Sequence, residues 1–272
     1  MTLLSSVWEA SWRIGMFFLL WAFLFAPLAA PITKRWERTG GISPWSRLYL
    51  EFVALATIVL SAWILLSFVD RRPFSTLGFS TDRLWHEAAM GVAVGATLFL
   101  LALALLGLGG WVRAHSPVFV WHRFVPISLA LLCNSVFQEV MFRGYVLQTI
   151  QTHLGTSGAL LLSSGVFALF HSGTARGGLA LLNLFLAGSL FGYAYLATGG
   201  LWAPIALHFV WNFLEGPVFG LPGLPEDLKG GTRFLRLQGP EWITGGTFGF
   251  EGSVIVTFTL AVGLIGLYGL YG

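Results

Sequence analysis

Phe137-Gln138-Glu139-Val140-Met141-Phe142-Arg143-Gly144 closes a long apolar run and sets a carboxamide, a carboxylate and a guanidinium where hydrocarbon is expected to surround the chain. Ionisable groups at membrane depth are costly. They face a bundle interior or a wet cavity, so the stretch points to a functional site inside a helical membrane scaffold. Residues four apart share a helix face. Glu139 and Arg143 are therefore expected to pair, with the acid on the N-terminal side, the better orientation for an ion pair. In low dielectric the loss of either partner would strand a buried charge. Gln138 points to another face, shared with Phe142.

The rest of the composition fits that scaffold. Of 272 residues, 56% are hydrophobic and 10% charged, and the mean hydropathy is +0.78. A soluble domain carries about 25% charged residues. The net charge of +3 gives no support for nucleic-acid binding, and the basic residues gather between apolar runs, as in Lys34-Arg35-Trp36-Glu37-Arg38. The single cysteine, Cys133, lies in an apolar run, so a disulfide framework or a cysteine-based metal site is excluded.

A membrane-spanning helix needs about 20 mainly apolar residues. Working outward from the stretch, the fourth such segment starts at Phe124, has Pro126 in its first turn and continues to about Ile150. Runs over residues 16–32, 52–69 and 88–112 precede it. The first could pass for a signal peptide, but Glu9 before it and the basic cluster after it fit a retained span. Asp70-Arg71-Arg72-Pro73 makes a credible helix stop after the second, and Leu77-Gly78-Phe79 is expected along the interface. Gly91 and Gly95 in the third are spaced for close helix packing. Runs over residues 154–170, 177–197 and 201–214 follow, the last short for a span. A Gly/Pro-rich loop over 216–252 leads to a final run over 253–271. The expected fold is all-α: a single integral membrane domain over 1–272, about eight transmembrane helices with a polar intramembrane cavity, and a motif-bearing core over 124–215. No internal repeat is apparent, which argues against a transporter. With alternating helices, ten of the fifteen Lys and Arg fall in the loops after helices one, three, five and seven. The positive-inside rule places those loops in the cytoplasm.

Two further polar sites repeat the helical spacing: Phe167 with His171, and His208 with Asn212, whose face continues to Glu215. Taken singly, a buried Glu–Arg pair can lock helices, and His or Asn can be interhelical hydrogen-bond glue. Together, on three helices, they supply a carboxylate, two imidazoles and donors for developing negative charge, the parts needed to activate water beside an oxyanion site.

The ordered set resembles the CPBP family of intramembrane proteases, which groups CAAX prenyl endopeptidases with bacteriocin-processing and Abi-type proteins. Its motif Glu-Glu-x-x-x-Arg reads here Gln138-Glu139-Val140-Met141-Phe142-Arg143. Phe-x-x-x-His is Phe167-Ala168-Leu169-Phe170-His171, and His-x-x-x-Asn/Asp is His208-Phe209-Val210-Trp211-Asn212. The loop Thr244-Gly245-Gly246-Thr247-Phe248-Gly249-Phe250-Glu251 also looks like bacterial members. The resemblance implies an integral protein of a bacterial or archaeal cell membrane that cuts a membrane-associated peptide, with or without a prenylated tail. Phe142 and Phe167 are the expected substrate contacts. A Glu at position 138 would activate water with His171, while His208 and Asn212 steady the oxyanion and Glu139 and Arg143 hold the segment in place.

Here that position is Gln138, and a carboxamide can bind water but cannot take its proton. The loss of a general base costs about 10²–10⁴-fold. The resemblance therefore leaves three readings: an engineered inactive variant of the protease, a natural pseudoprotease that binds peptide or lipidated tails without cleavage, or a weakly active natural enzyme. No cofactor is favoured. If a metal such as zinc is used, His171 and His208 are the candidate ligands, but there is no His-Glu-x-x-His pattern and Asn is a poor zinc ligand.

Overall fold

The computed structural model describes residues 2–173 and 177–271. The chain begins with a long helix, α1 (Leu3–Thr39), that contains Pro27 and Pro31 and ends on Gly40 in the left-handed region. The basic cluster after residue 32 continues this helix. Next, α2 (Pro44–Ile64) is capped by Ser43, whose side chain accepts from Ser46 N–H, and has Pro44 in its first turn, where the missing donor costs little. It runs on as a π-helical turn, Leu65–Asp70, and stops at Arg71. A short 3-10 helix, Phe74–Leu77, follows. This segment is packed into the fold: Leu77 is fully buried, and Gly78 carbonyl accepts from Leu201 N–H at 2.9 Å.

The third run forms α3 (Leu84–Leu108). It stops before residue 112, because Gly109-Gly110 breaks the helix and Val112–Val118 becomes strand β1. Its antiparallel partner is β2 (Arg233–Leu237), with Val112 opposite Leu237. This two-stranded sheet was not expected. It ties the end of α3 to the Gly/Pro-rich loop.

The motif stretch ends α4 (Trp121–Glu139) and continues as a π-helical turn, Val140–Leu147, into α5 (Gln148–Phe170). Gly155, at φ 77° and ψ 173°, breaks this 50-residue apolar run into the two segments read from the sequence. Then come α6 (Gly178–Thr198) and α7 (Trp202–Phe213), the latter extended by a π-helical turn, Leu214–Val218. After the loop and a single-turn helix, α8 (Glu241–Thr244), α9 (Val254–Tyr271) closes the fold. The fold is all-α apart from the one strand pair. Six helices among the described residues are long and apolar enough to cross a membrane, one of them the 50-residue run. The short α7 is not among them.

Polar segments at this depth are held by close packing. Against α3, α7 comes so near that a Cβ on Gly91 would sit 2.2 Å from Ala203 carbonyl oxygen, and one on Gly95 would sit 2.5 Å from Val210 Cγ1. The Gly-x-x-x-Gly spacing thus lets the backbones approach, as in small-residue packing of membrane helices. With α2 along α4 and α5 along α6, this packing fixes the motif helices around one cavity.

Candidate active site

The π-helical turn begins at Val140, directly after the motif's two polar residues. Single π-turns interrupt the ordinary ladder and are frequent at functional sites. Glu139 and Arg143 are both buried, at 0% and 1% exposure. Arg143 Nη1 lies 3.0 Å from both carboxylate oxygens and donates to Oε1. Its Nη2 donates to Gly188 carbonyl at 2.7 Å, and the guanidinium sits within 5.9 Å of the Phe142, Phe167 and Phe191 ring centroids. Such a pair is maintained by mutual need in low dielectric.

Glu139 has a second partner. His208 Nδ1 lies 2.7 Å from its Oε1, so the first and third motifs are joined directly. With Nδ1 donating to the carboxylate, Nε2 is the ring nitrogen left for other chemistry, an arrangement that fixes tautomer and orientation. Phe191 stacks on His208 at 4.8 Å between ring centroids. His171 caps α5, and its Nδ1 is 2.9 Å from Phe167 carbonyl oxygen.

Gln138, Phe167, His171, His208 and Asn212 line one cavity of ≈620 Å³. Phe142 does not. It is fully buried and packed edge-on against Phe167 and Phe170. Glu139 and Arg143 also lie outside the lining, behind it.

Gln138 is the end of a polar chain that sequence spacing did not expose. Its Nε2 donates to Asn134 Oδ1 at 2.9 Å, Asn134 Nδ2 donates to Glu51 Oε2 at 2.9 Å, and Glu51 pairs with Arg47 at 2.6 Å. Arg47 also reaches Asp227 at 3.1 Å. Gln138 Oε1 is buried without a partner. Asn134 sits one turn before Gln138 and Glu51 sits inside an apolar helix, so both were legible as polar residues out of place.

The opposite side of the cavity comes from the loop. Thr247 and Glu251 line it, with Gly223 and Trp211. Trp211 Nε1 donates to Glu251 Oε1 at 3.2 Å. Burial pushes the Glu251 carboxyl up to about 7, with the Trp211 hydrogen bond pulling the other way. Behind Gly223 lies Glu215, fully buried, with neither carboxylate oxygen hydrogen-bonded. Burial, then the neighbouring Glu251 charge, raise its carboxyl well above the ordinary range, so it is held neutral.

Among the described residues no three His, Cys, Asp or Glu side chains come together in a way that could hold a metal ion. With Nδ1 engaged on both rings, His171 and His208 would offer a metal only their Nε2 atoms, two donors against the three protein ligands of a catalytic zinc site.

Residues 119–214 match a protein-family model described as type II CAAX prenyl endopeptidase Rce1-like, and that stretch holds all three motifs. No curated protein and no solved structure is significantly similar to the chain.

Proposed function

We propose that this chain, whose residues 119–214 match the type II CAAX prenyl endopeptidase Rce1-like model, is an intramembrane endopeptidase acting on the tail of a membrane-associated, prenylated peptide. The observation that carries the proposal is convergence: Gln138 from α4, His171 from the end of α5, and His208 and Asn212 from α7 meet on one cavity inside apolar sequence. Its volume of ≈620 Å³ falls within the usual range for ligand sites, about 300–1,000 Å³. The lining mixes Phe167, Leu184, Phe191 and Leu207 with the polar groups, which suits an extended peptide carrying an apolar anchor.

In this reading Glu139 orients His208, and Arg143 neutralises Glu139 from behind. His208 and Asn212 then face the scissile carbonyl and steady the developing oxyanion, a role typically worth about 10²–10³-fold per donor. His171 sits across the cavity beside the attacking water. Gln138, in the position where the family has its Glu, cannot take that water's proton. No step passes through a metal, and cleavage is expected to survive chelation.

The second reading is a binding protein without cleavage. It is favoured by the wiring of Gln138, whose amide donates into the Asn134–Glu51 chain and is matched to it. A panel of prenylated and unmodified peptides, presented in liposomes to this chain and to Gln138→Glu, separates the two. Cleavage of the prenylated peptides by either chain supports the protease. Saturable binding of the same peptides, uncut by both, supports the binder.

A further inference from the structure

Of the carboxylates around the cavity, three are committed or withdrawn. Glu139 is paired with Arg143 and His208, Glu51 is paired with Arg47 and Asn134, and Glu215 lies behind Gly223. Glu251 differs from these. Its side chain lines the cavity, and only Oε1 is hydrogen-bonded, to Trp211 Nε1. Trp211 lies between His208 and Asn212 on α7, so this bond tethers the carboxylate to the helix that carries the third motif.

Its backbone is clamped as well. Asn183, from α6, donates through Nδ2 to Glu251 carbonyl at 2.7 Å and to Ser253 carbonyl at 2.9 Å, while its Oδ1 accepts from Thr257 at 2.6 Å. Phe250 N–H donates to Pro222 carbonyl at 2.6 Å, and Ser253 Oγ donates to Ile243 carbonyl. Gly249, at φ 91°, packs against Pro222 so closely that a Cβ there would sit 2.2 Å from its carbonyl oxygen. A loop residue held from four sides is placed as firmly as one on a helix, which is what a proton-transferring group requires.

Resting on the protease reading, we infer that Glu251 is the general base of this chain, in place of the missing carboxylate at position 138. The step balances without an added reagent. Glu251 accepts a proton from water as the water oxygen bonds to the scissile carbonyl carbon, and the carbonyl electron pair moves to oxygen. When the tetrahedral intermediate collapses, the carbon–nitrogen bond breaks and the held proton passes to the leaving nitrogen, giving a carboxyl and an amine. Glu251 bears on the Glu215 carboxyl, which also feels Lys229, and His171, His208 and Arg47 are the titratable or charged groups that line the same cavity. Its position near neutrality fits a base that works at physiological pH.

The test uses the full-length chain in proteoliposomes with a fluorogenic peptide bearing a prenylated cysteine near its carboxyl terminus. Unaltered chain, Glu251→Gln, Glu251→Asp and Gln138→Glu are compared from acid to alkaline pH, with melting temperature alongside. The expected result is cleavage by the unaltered chain that rises through about pH 7. Glu251→Gln should lose about 10²–10⁴-fold at unchanged melting temperature, with partial rescue by Glu251→Asp. Equal cleavage by unaltered chain and Glu251→Gln overturns the assignment, as does cleavage by Gln138→Glu alone. If neither the unaltered chain nor Gln138→Glu cuts, the protease reading itself fails, and the assignment falls with it.

Discussion

The two walls of the cavity handle charge in opposite ways. On the helical wall the Glu139 carboxylate, Arg143 and His208 form a closed cluster, each partner supplied within 3.0 Å. On the loop wall Glu251 has a single hydrogen bond and Glu215 has none. Buried charges paired with one another do structural work, because removing one strands the others, even though Glu139 Oε2 and Arg143 Nε have no hydrogen bond of their own. Carboxyls left under-partnered beside a cavity have free proton-binding capacity, and perturbed groups of that kind cluster where chemistry happens. The first wall therefore reads as the frame and the second as the reactive side. The three motifs supply that frame through Glu139, Arg143 and His208, and line the cavity through Gln138, Phe167, His171, His208 and Asn212.

Breaking the frame should give the largest stability effect. Arg143→Met leaves Glu139 buried with only His208 to answer it. A loss of about 3–5 kcal/mol is expected, seen as a much lower melting temperature in detergent or failure to accumulate folded protein. Glu251→Gln on the other wall should barely move the melting temperature. Similar losses from both variants would erase the contrast between the walls.

Substitution at the seam that sets the frame comes next. Gly91→Ala drives a methyl into Ala203 carbonyl oxygen, and α3 must move off α7. Thermal unfolding should report about 1–3 kcal/mol of destabilisation. An unchanged melting point would mean that the helices separate freely and that the cavity is less rigid than described.

A subtler effect is expected at Gln138. A glutamate there would face Asn134 Oδ1, and turning the Asn134 amide to donate to it would set Oδ1 against Glu51 Oε2. Gln138→Glu should therefore lose about 1 kcal/mol of stability, recovered when Glu51 is also made Gln. Melting temperatures of the single and double variants test this coupling.

The smallest effect concerns Glu215 and depends on pH. Its folded-state proton affinity is raised above the ordinary value of 4.5, so the folded state holds a proton that the unfolded state releases. Stability is then lost as pH rises from about 4.5 toward the folded-state value. Glu215→Gln should melt like the unaltered chain in acid and a few degrees higher in alkali. A constant difference across pH would mean that Glu215 is not held neutral.

Much of the frame was legible in the sequence. Low charge and long apolar runs reveal the membrane class, and i, i+4 spacing gives the Glu139–Arg143 pair and the faces of His208 and Asn212. Two features were hidden for physical reasons. Helical spacing gives a face but not a depth, and Phe142, buried against Phe167 and Phe170, does not reach the cavity that Gln138 lines. The reactive wall is built by contacts distant in sequence, such as Asn183 with Glu251 and β1 with β2, and no periodicity records those. The polar Asn183 within an apolar helix was the one sequence clue to that clamp.

The most direct test of a hydrolytic cavity is the product formed in heavy-oxygen water. A prenylated peptide is incubated with the reconstituted chain and with His171→Ala, and the fragments are read by mass spectrometry. The expected result is a discrete cut with one heavy oxygen in the new carboxyl terminus, lost in the His171 variant. Intact peptide, bound by both chains and labelled by neither, would contradict the account and make the cavity a binding site.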